Sequence, residues 1–510
     1  MSCTLLDLPD EILLRVLSYV DIFSCVQSKS YIGELTNSKP TLCALAVTNR
    51  RLSNIATNVL FESVDLDVDT NKPYSAAAKK LYRTYTERPD LLDYLRIFGL
   101  YWNIVDQEEE AVGLVKSICN APNLTSLTLG QMRNYTPNFE DRRSEILEVI
   151  PQTCYNLEHL VLRFGGMHLS MSGKQLFNIC AMPRLRHFET SLDICAPQIE
   201  PDMSEQHRNT TELVDASIVN SKTKLKHVAC TGTHLSLRTL STLFSKLLKL
   251  TDLTLSLPGP GIKWHDQHLY YWYNEIEARF VESSGFSPHA VSQILTPLAA
   301  TLESLTIMSG LVNVTKHDDS SLNLKQFDKL KYLTLSIRLL CSSTQYNSGL
   351  LSPGSTWYEC LPSSLQMLEI MYDCSNGLLW RPERIERPEL GPFTPRTDAY
   401  TESFPETHMY FSKHIFEPCM AMVAAYERRL AWINGLLKWR SEQFPQLKKF
   451  RVVEVLNIGW ATSADWDQLN VAQMYPELFK SQGLELDIIV RVPKGYVAPP
   501  LAWLTTRIKW

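Results

Sequence analysis

The chain has 510 residues, of which 45% are apolar and 21% charged, and its formal net charge is -5. This length exceeds what one hydrophobic core supports, so we expect a large repeat-built body or several domains. The acidic balance argues against general electrostatic binding to nucleic acid or anionic membranes. No apolar run reaches the ~20 residues that a membrane-spanning helix needs. Twelve cysteines without a C-x-x-C pair, and acidic residues where a signal peptide would be basic, favour a cytoplasmic or nuclear protein with reduced thiols.

Residues 5–20, with the sequence LLDLPDEILLRVLSYV, predict a short helix. Pro9 suits the first helical position, and Asp10 and Glu11 suit the first turn, where the helix dipole favours carboxylates. Apolar residues recur at helical spacing and share one face: Ile12, Leu13, Val16, Leu17 and Val20. From periodicity alone, such a face either packs on the rest of the chain as a cap or binds another protein.

Residues 41–69, TLCALAVTNRRLSNIATNVLFESVDLDVD, predict two more helices and a strand. The first of these helices has an apolar face around Leu42 and Leu45, and the second has one around Ile55. Alternation of apolar residues with aspartate at the end of the segment then predicts a strand with one polar face. A polar stretch over about residues 22–40 separates these elements from the first helix.

The motif L-P-D-E-I-L-L-R-V-L-S-Y-V-D, followed by L-x-x-L-A-V-T-N-R-R-L, resembles the F-box, a short three-helix docking module. The continuation IATNVLFESVDL is similar to the version common in fungal F-box proteins. Two features depart from the family pattern: the spacer after the first helix is longer than usual, and Thr48 stands where the family usually has valine. Because threonine is polar, we expect the second helix to pack slightly less well there.

The resemblance implies a partner, the Skp-type adaptor of cullin-RING ubiquitin ligases. By position, the adaptor-binding role falls on Leu8, Pro9, Ile12, Leu13, Val16, Leu17 and Val20. Leu42, Leu45 and Leu52 either complete that surface or form the small core of the module. A module of this size cannot bury all its large apolar side chains within itself, so a partner can cover the remainder.

From residue 90 onward one phrase recurs, L-x-x-L-x-L with apolar substitutes. Its last four residues alternate as a short strand would, and a helical pattern precedes most copies. A strand and a helix that alternate at a fixed phrase are typical of a leucine-rich-repeat solenoid. The copies begin at Leu92, Leu124, Leu157, Leu185, Leu225, Leu250, Leu302, Leu330, Leu365 and Leu447.

The expected fold class is α/β: a short all-α F-box followed by an irregular leucine-rich-repeat solenoid, with parallel strands on the concave side and helices on the convex side. We predict the F-box over residues 1–64, with an inserted spacer at about 22–40. The repeat domain would occupy residues 65–510. Its predicted insertions lie at about 191–212, 257–286, 338–361 and 373–414.

Each predicted insertion follows the end of a strand, so in a parallel sheet all of them leave by one rim, where repeat proteins often bind their partners. The second insertion holds aromatic residues of the kinds enriched at recognition hot spots: Trp264, Tyr270, Tyr271, Trp272 and Tyr273. These rings either contact a target protein or pin the insertion onto the repeats.

Motifs for catalysis or metal binding are missing from the sequence: there is no H-E-x-x-H, no Gly-rich phosphate loop and no G-x-S-x-G elbow. We therefore expect no cofactor, no metal and no catalysis by this chain. The predicted function is that of a substrate-recognition subunit of a Skp–cullin–F-box (SCF) ubiquitin ligase. The alternative is an F-box and leucine-rich-repeat scaffold or regulatory protein that acts outside a ligase.

Overall fold

The structure, a computed structural model, describes part of the chain, and contacts divide the chain into two compact units. Unit 1 comprises Met1–Leu235 and Lys246–Leu250, and unit 2 comprises Ser236–Ser245 and Thr251–Trp510. The described residues are 8–17, 39–68, 75–102, 108–131, 140–164, 171–190, 223–231, 237–257, 287–309, 320–340, 357–373, 437, 440, 442–455, 466–470 and 476–493.

The described part of unit 1 contains a sheet whose strands pair in parallel and in the order in which they occur along the chain. In most of these strands buried apolar residues alternate with more exposed ones, which gives the sheet one packed face. The strands are β1 (Ser63–Val68), β2 (Ile97–Trp102), β3 (Ser126–Gln131), β4 (His159–Phe164), β5 (His187–Thr190) and β6 (His227–Cys230).

Helices separate β1 to β5 along the chain, and successive helices among them pack against one another. Among the described residues, three helical segments precede β1: α1 (residues 10–17), α2 (Lys39–Thr48) and α3 (Arg50–Glu62). Those that follow β1 are α4 (Ser75–Glu87), α5 (Glu108–Cys119), α6 (Glu140–Thr153) and α7 (Gly173–Cys180). The start of α7 is fixed by a reciprocal capping box between Ser172 and Gln175.

The register of the sheet shows that the first repeat phrase begins at Leu95 and not at Leu92. Ile97 pairs with Ser126, the third residue of the phrase LTSLTL, so the equivalent phrase is LRIFGL. In that register Phe98 and Leu100 are fully buried, whereas Ile97 is 47% exposed. The sequence pattern fits both positions, and only the pairing with neighbouring strands distinguishes them.

One backbone feature repeats at the start of most of the described strands. The carbonyl oxygen of Arg96 accepts hydrogen bonds from two successive amides, those of Thr125 (2.8 Å) and Ser126 (3.0 Å). The carbonyl of Thr125 accepts in the same way from Glu158 and His159. These shared bonds satisfy amides that precede the strand ladder, and they hold adjacent repeats in one register.

The described strands of unit 2 pair in the same way as those of unit 1, with one exception at the edge. Its parallel strands pair in the order β7, β8, β9, β10, β11 and β13, and β12 pairs antiparallel with β13. The strands are β7 (Asp252–Leu257), β8 (Ser304–Ser309), β9 (Tyr332–Ser336), β10 (Met367–Asp373), β11 (Lys449–Val455), β12 (Trp466–Asn470) and β13 (Glu485–Pro493).

The α-helices that the structure describes in unit 2 are short. They are α8 (Leu237–Phe244), α9 (Pro288–Leu295) and α10 (Pro476–Ser481). On the sheet itself Arg451 of β11 bridges its two neighbours: its guanidinium lies 3.1 Å from the carboxylate of Glu369 on β10 and 3.3 Å from that of Asp487 on β13. Glu369 is 82 residues from Arg451 in the sequence, so the pairing of β10 with β11 is a long-range contact.

The predicted α/β class is confirmed: each unit combines parallel strands with helices, an arrangement compatible with a solenoid. The strand predicted at the end of residues 41–69 is also present, as β1. Residue 64, the predicted end of the first domain, lies inside β1. The predicted insertions fall largely outside the described residues, so their role as a binding rim stays a prediction.

We expect Phe188→Ala to destabilise unit 1 strongly, because the Phe188 ring is fully buried in β5. Truncation of a buried phenylalanine costs about 3–5 kcal/mol. Urea denaturation followed by circular dichroism measures the loss. The control is Tyr155→Ala, whose side chain is 65% exposed and which we expect to change stability by less than about 0.5 kcal/mol. Equal losses in the two variants would contradict the burial described here.

Candidate functional site

The three helical segments before β1 share one small apolar core. Its buried members are Leu13, Leu17, Leu42, Leu52, Ile55, Ala56 and Val59. Partly buried residues pack around it: Leu8, Leu14, Leu45, Ala46 and Leu60. We call these segments, residues 8–17 and 39–62, the helical module.

The Leu-Pro turn begins the helical module. The carbonyl oxygen of Pro9 accepts hydrogen bonds from the amides of Ile12 (3.1 Å) and Leu13 (3.0 Å), so Pro9 precedes the first helical residue, Asp10. From the sequence, Pro9 was predicted to be the first helical residue itself, but the helix begins one residue later. The cost is the same in both positions, because neither amide has a partner within the helix.

The junction between α2 and α3 is set by two polar side chains. Asn49 caps α3: it has an extended backbone, and its side-chain oxygen accepts a hydrogen bond from the amide of Arg51 at 2.8 Å. Thr48 is exposed, and its hydroxyl donates to the carbonyl of Leu45 at 2.8 Å. The polar hydroxyl is therefore satisfied locally, and the packing defect expected at this position does not occur.

Arg51 joins the start of α1 to the start of α3. Its Nε donates to the carboxylate of Asp10 at 2.7 Å, and its Nη2 donates to the carbonyl oxygen of Leu8, also at 2.7 Å. The side chains of Arg51 and Asp10 are 40% and 59% exposed, so solvent screens the ion pair. The bond to the Leu8 carbonyl adds a geometric restraint on the Leu-Pro turn.

The apolar stripe predicted on α1 is divided between two environments. Leu13 and Leu17 point into the core and are 0% and 2% exposed. Ile12 and Val16 lie one position earlier in the helix, and they are 42% and 38% exposed. Pro9 is exposed as well. Residues 9, 12 and 16 follow one another at helical spacing, so they form one outward-facing apolar ridge.

The remaining predicted residues divide in the same way. Leu42 and Leu52 belong to the core, and Leu8 and Leu45 are half-buried beside it. Val47, which the sequence did not single out, is 85% exposed on α2. Val20 and the aromatic residues of the second insertion lie outside the described residues: Trp264, Tyr270, Tyr271, Trp272 and Tyr273.

The helical module continues directly into the sheet of unit 1. The last helical residue of α3, Glu62, is followed by Ser63, the first residue of β1, without a linker. The carbonyl oxygen of Glu62 accepts a hydrogen bond from the amide of Arg96 at 2.9 Å, in the same position as the shared bonds of later repeats. The ring of Phe61 also contacts Tyr85 of α4 edge-on, with centroids 6.0 Å apart.

The described residues contain no group of three or more histidine, cysteine or acidic side chains that could hold a metal ion. Four of the described cysteines are buried, as expected for thiols that pack as small apolar groups: Cys119, Cys154, Cys180 and Cys230. Burial raises the pKa of the Cys230 thiol to about 12, so this side chain stays protonated near neutral pH.

Comparisons with known proteins found no family model that matches this chain and no curated protein that matches it. Within the described ranges, no helix has the length and apolar character needed to cross a membrane. The helical module is the candidate functional site on the strength of its own geometry, a filled core beneath an exposed apolar ridge.

We expect Arg51→Ala to loosen α1 from the helical module. The variant removes both the Asp10 ion pair and the bond to the Leu8 carbonyl, which together restrain the Leu-Pro turn. Hydrogen exchange at the Leu13 amide should become about fivefold faster, because an exposed pair of this kind contributes about 1 kcal/mol to local stability. Arg50→Ala, at the adjacent exposed position, is the control and should exchange as the wild type does. Unchanged exchange in Arg51→Ala would contradict the restraint.

Proposed function

We propose that this chain is the substrate-recognition subunit of a Skp–cullin–F-box ubiquitin ligase. The helical module would act as an F-box that binds the Skp-type adaptor, and the repeat units would act as leucine-rich repeats that bind a target protein. The chain would contribute no catalytic group, and the ubiquitin-transferring chemistry would belong to other subunits. The resemblance of residues 5–66 to the F-box and the geometry of the helical module support this proposal.

The observation that carries the proposal is the ridge formed by Pro9, Ile12 and Val16. These apolar side chains stay exposed although seven neighbours fill the core beneath them. Aliphatic side chains gain about 1.5–3 kcal/mol when fully buried, so a partner that covers this ridge recovers part of that free energy. The ridge lies within the residues to which the F-box resemblance assigns adaptor binding, and Leu13 and Leu17 would support it from the core.

The proposed mechanism is proximity. A receptor that holds a target protein near a ubiquitin-conjugating enzyme raises the effective concentration of the reacting lysine. A rigid link between the adaptor-binding module and the repeats favours this role, because it limits the positions that the target can adopt. The direct continuation of α3 into β1, without a linker, supports such a link.

The second candidate is a scaffold or regulatory protein that uses the same module outside a ligase. The two candidates differ in what accompanies the adaptor. A ligase receptor brings cullin and RING subunits with it, whereas a scaffold binds the adaptor alone or nothing. Capture of the full chain from cells, followed by detection of the cullin and RING subunits, distinguishes them.

We expect the double variant Ile12→Asp, Val16→Asp to lose adaptor binding. Two carboxylates in an apolar interface carry a desolvation penalty, which should weaken binding by at least roughly a hundredfold. Titration calorimetry with purified adaptor measures the affinity. Because both side chains are exposed, the variant should keep the wild-type circular dichroism spectrum.

The control is Leu248→Asp, which places one carboxylate at another exposed apolar residue of unit 1, 51% exposed. This variant should bind the adaptor as the wild type does. Wild-type affinity in the double variant would contradict the proposed interface. Absence of any adaptor binding by the wild-type chain would contradict the ligase proposal itself.

The aromatic side chains in the segment 262–275 are the proposed contact with the target protein. We expect deletion of this segment to reduce capture of the target protein while adaptor binding is unchanged. Proximity labelling, combined with a search for labelled proteins that accumulate when the chain is depleted, identifies the target to be captured. A variant with serine in place of the five aromatic residues tests the rings without shortening the chain. Full capture by both variants would assign these rings a packing role.

A further inference from the structure

Three histidines occupy one register position on adjacent strands of unit 1. His159 of β4 pairs with His187 of β5, and His187 pairs with His227 of β6. Side chains at one register position of parallel strands lie about 4.8 Å apart, so they form a row on the sheet. The ring centroids of His187 and His227 are 4.1 Å apart with the planes at 2°, and those of His159 and His187 are 5.7 Å apart at 35°.

The row is compatible with neutral rings and not with several charged ones. Neutral imidazoles can stack face to face, whereas two cations at this separation repel each other. The position is not one that requires histidine in this fold, because Ser126 on β3 occupies it in the preceding repeat. Three consecutive repeats therefore place a histidine at this position, and His187 lies between the other two rings.

The other ionisable groups around His187 do not cancel this effect. The carboxylate of Glu189, on the same strand, lies 3.9 Å from His187 Nε2 and favours its charged form. The same carboxylate is shared with Arg163 of β4, whose Nη2 lies 3.0 Å away. The charged side chains that immediately precede the row are Glu158, Arg186 and Lys226, and Arg186 lies 3.6 Å from Glu158. Burial, followed by the proximity of His227 and His159, lowers the pKa of His187 despite Glu189.

We propose that this histidine row makes the pairing of β5 with β6 in unit 1 sensitive to acid. With the rings neutral, they stack and the short strands β5 and β6 stay paired. When His187 and a neighbouring ring are both protonated, the two like charges repel each other, which weakens that pairing, and β6 opens locally. Strands of four residues, such as β5 and β6, have few hydrogen bonds with which to resist such a change.

The direction of the pH effect follows from linkage. The pKa of His187 in the folded chain lies below the value of about 6.5 that an unfolded chain has. As the pH falls through about 6.5, the open form takes up a proton before the paired form does. Stability from the neutral row is therefore complete above that pH and is lost as the pH falls towards the folded pKa.

Hydrogen exchange of the full chain at pH 7.5 and 5.5, corrected for the intrinsic rate, tests the proposal. The amides of residues 225–231 include those of Lys226 and His227, which donate to the Arg186 carbonyl. Their protection should fall at the lower pH in the wild type, by about tenfold at most, and should stay nearly constant in His187→Gln. Because each variant is compared with itself, a uniform loss of stability does not affect the ratio.

Two further variants complete the test. His289→Gln changes an exposed histidine of unit 2 and should behave as the wild type does. His227→Gln keeps His187 but removes its nearest ring, so it should reduce the pH dependence. Constant protection in the wild type, or an undiminished loss in either His187→Gln or His227→Gln, would overturn the proposal.

Discussion

Everything described in this chain depends on the common register of its parallel strands. A carbonyl oxygen at the start of one repeat accepts two amides from the next, as Arg96 does from Thr125 and Ser126. That contact fixes which residue stands beside which, and the same phrase position then repeats from strand to strand. Leucines at buried positions stack into a core, and outward-facing side chains stack into rows. The Arg451 bridge and the histidine row are both consequences of this single constraint.

The last residue of the helical module takes part in the same pattern of backbone hydrogen bonds. Glu62 completes α3 and also supplies the carbonyl oxygen that receives the amide of Arg96. The module is therefore attached to the sheet by a residue that belongs to both. The ridge on α1 is thereby held in one orientation relative to the sheet of unit 1.

Much of this architecture could be predicted from the sequence, since the phrase L-x-x-L-x-L gives strand type and α1 has clear helical periodicity. The sequence did not predict which of two nearby residues begins a strand phrase or faces the core, because contacts with other elements determine both. Leu92 and Leu95 both begin acceptable phrases, and strand pairing selects Leu95. Periodicity assigned Ile12 and Leu13 to one stripe, but it does not locate the centre of the buried face. Only the packing of α2 and α3 shows that Leu13 is inside and Ile12 outside.

The bridge from Arg451 to Glu369 joins side chains that are 82 positions apart in the sequence. Closing a flexible loop costs conformational entropy that rises only with the logarithm of its length, by about 0.6 kcal/mol for each doubling. Once register is fixed by strand pairing, a connection can thus lengthen severalfold at little thermodynamic expense. This fold can acquire new sequence between its strands over evolution while the repeats on each side of the addition remain in place.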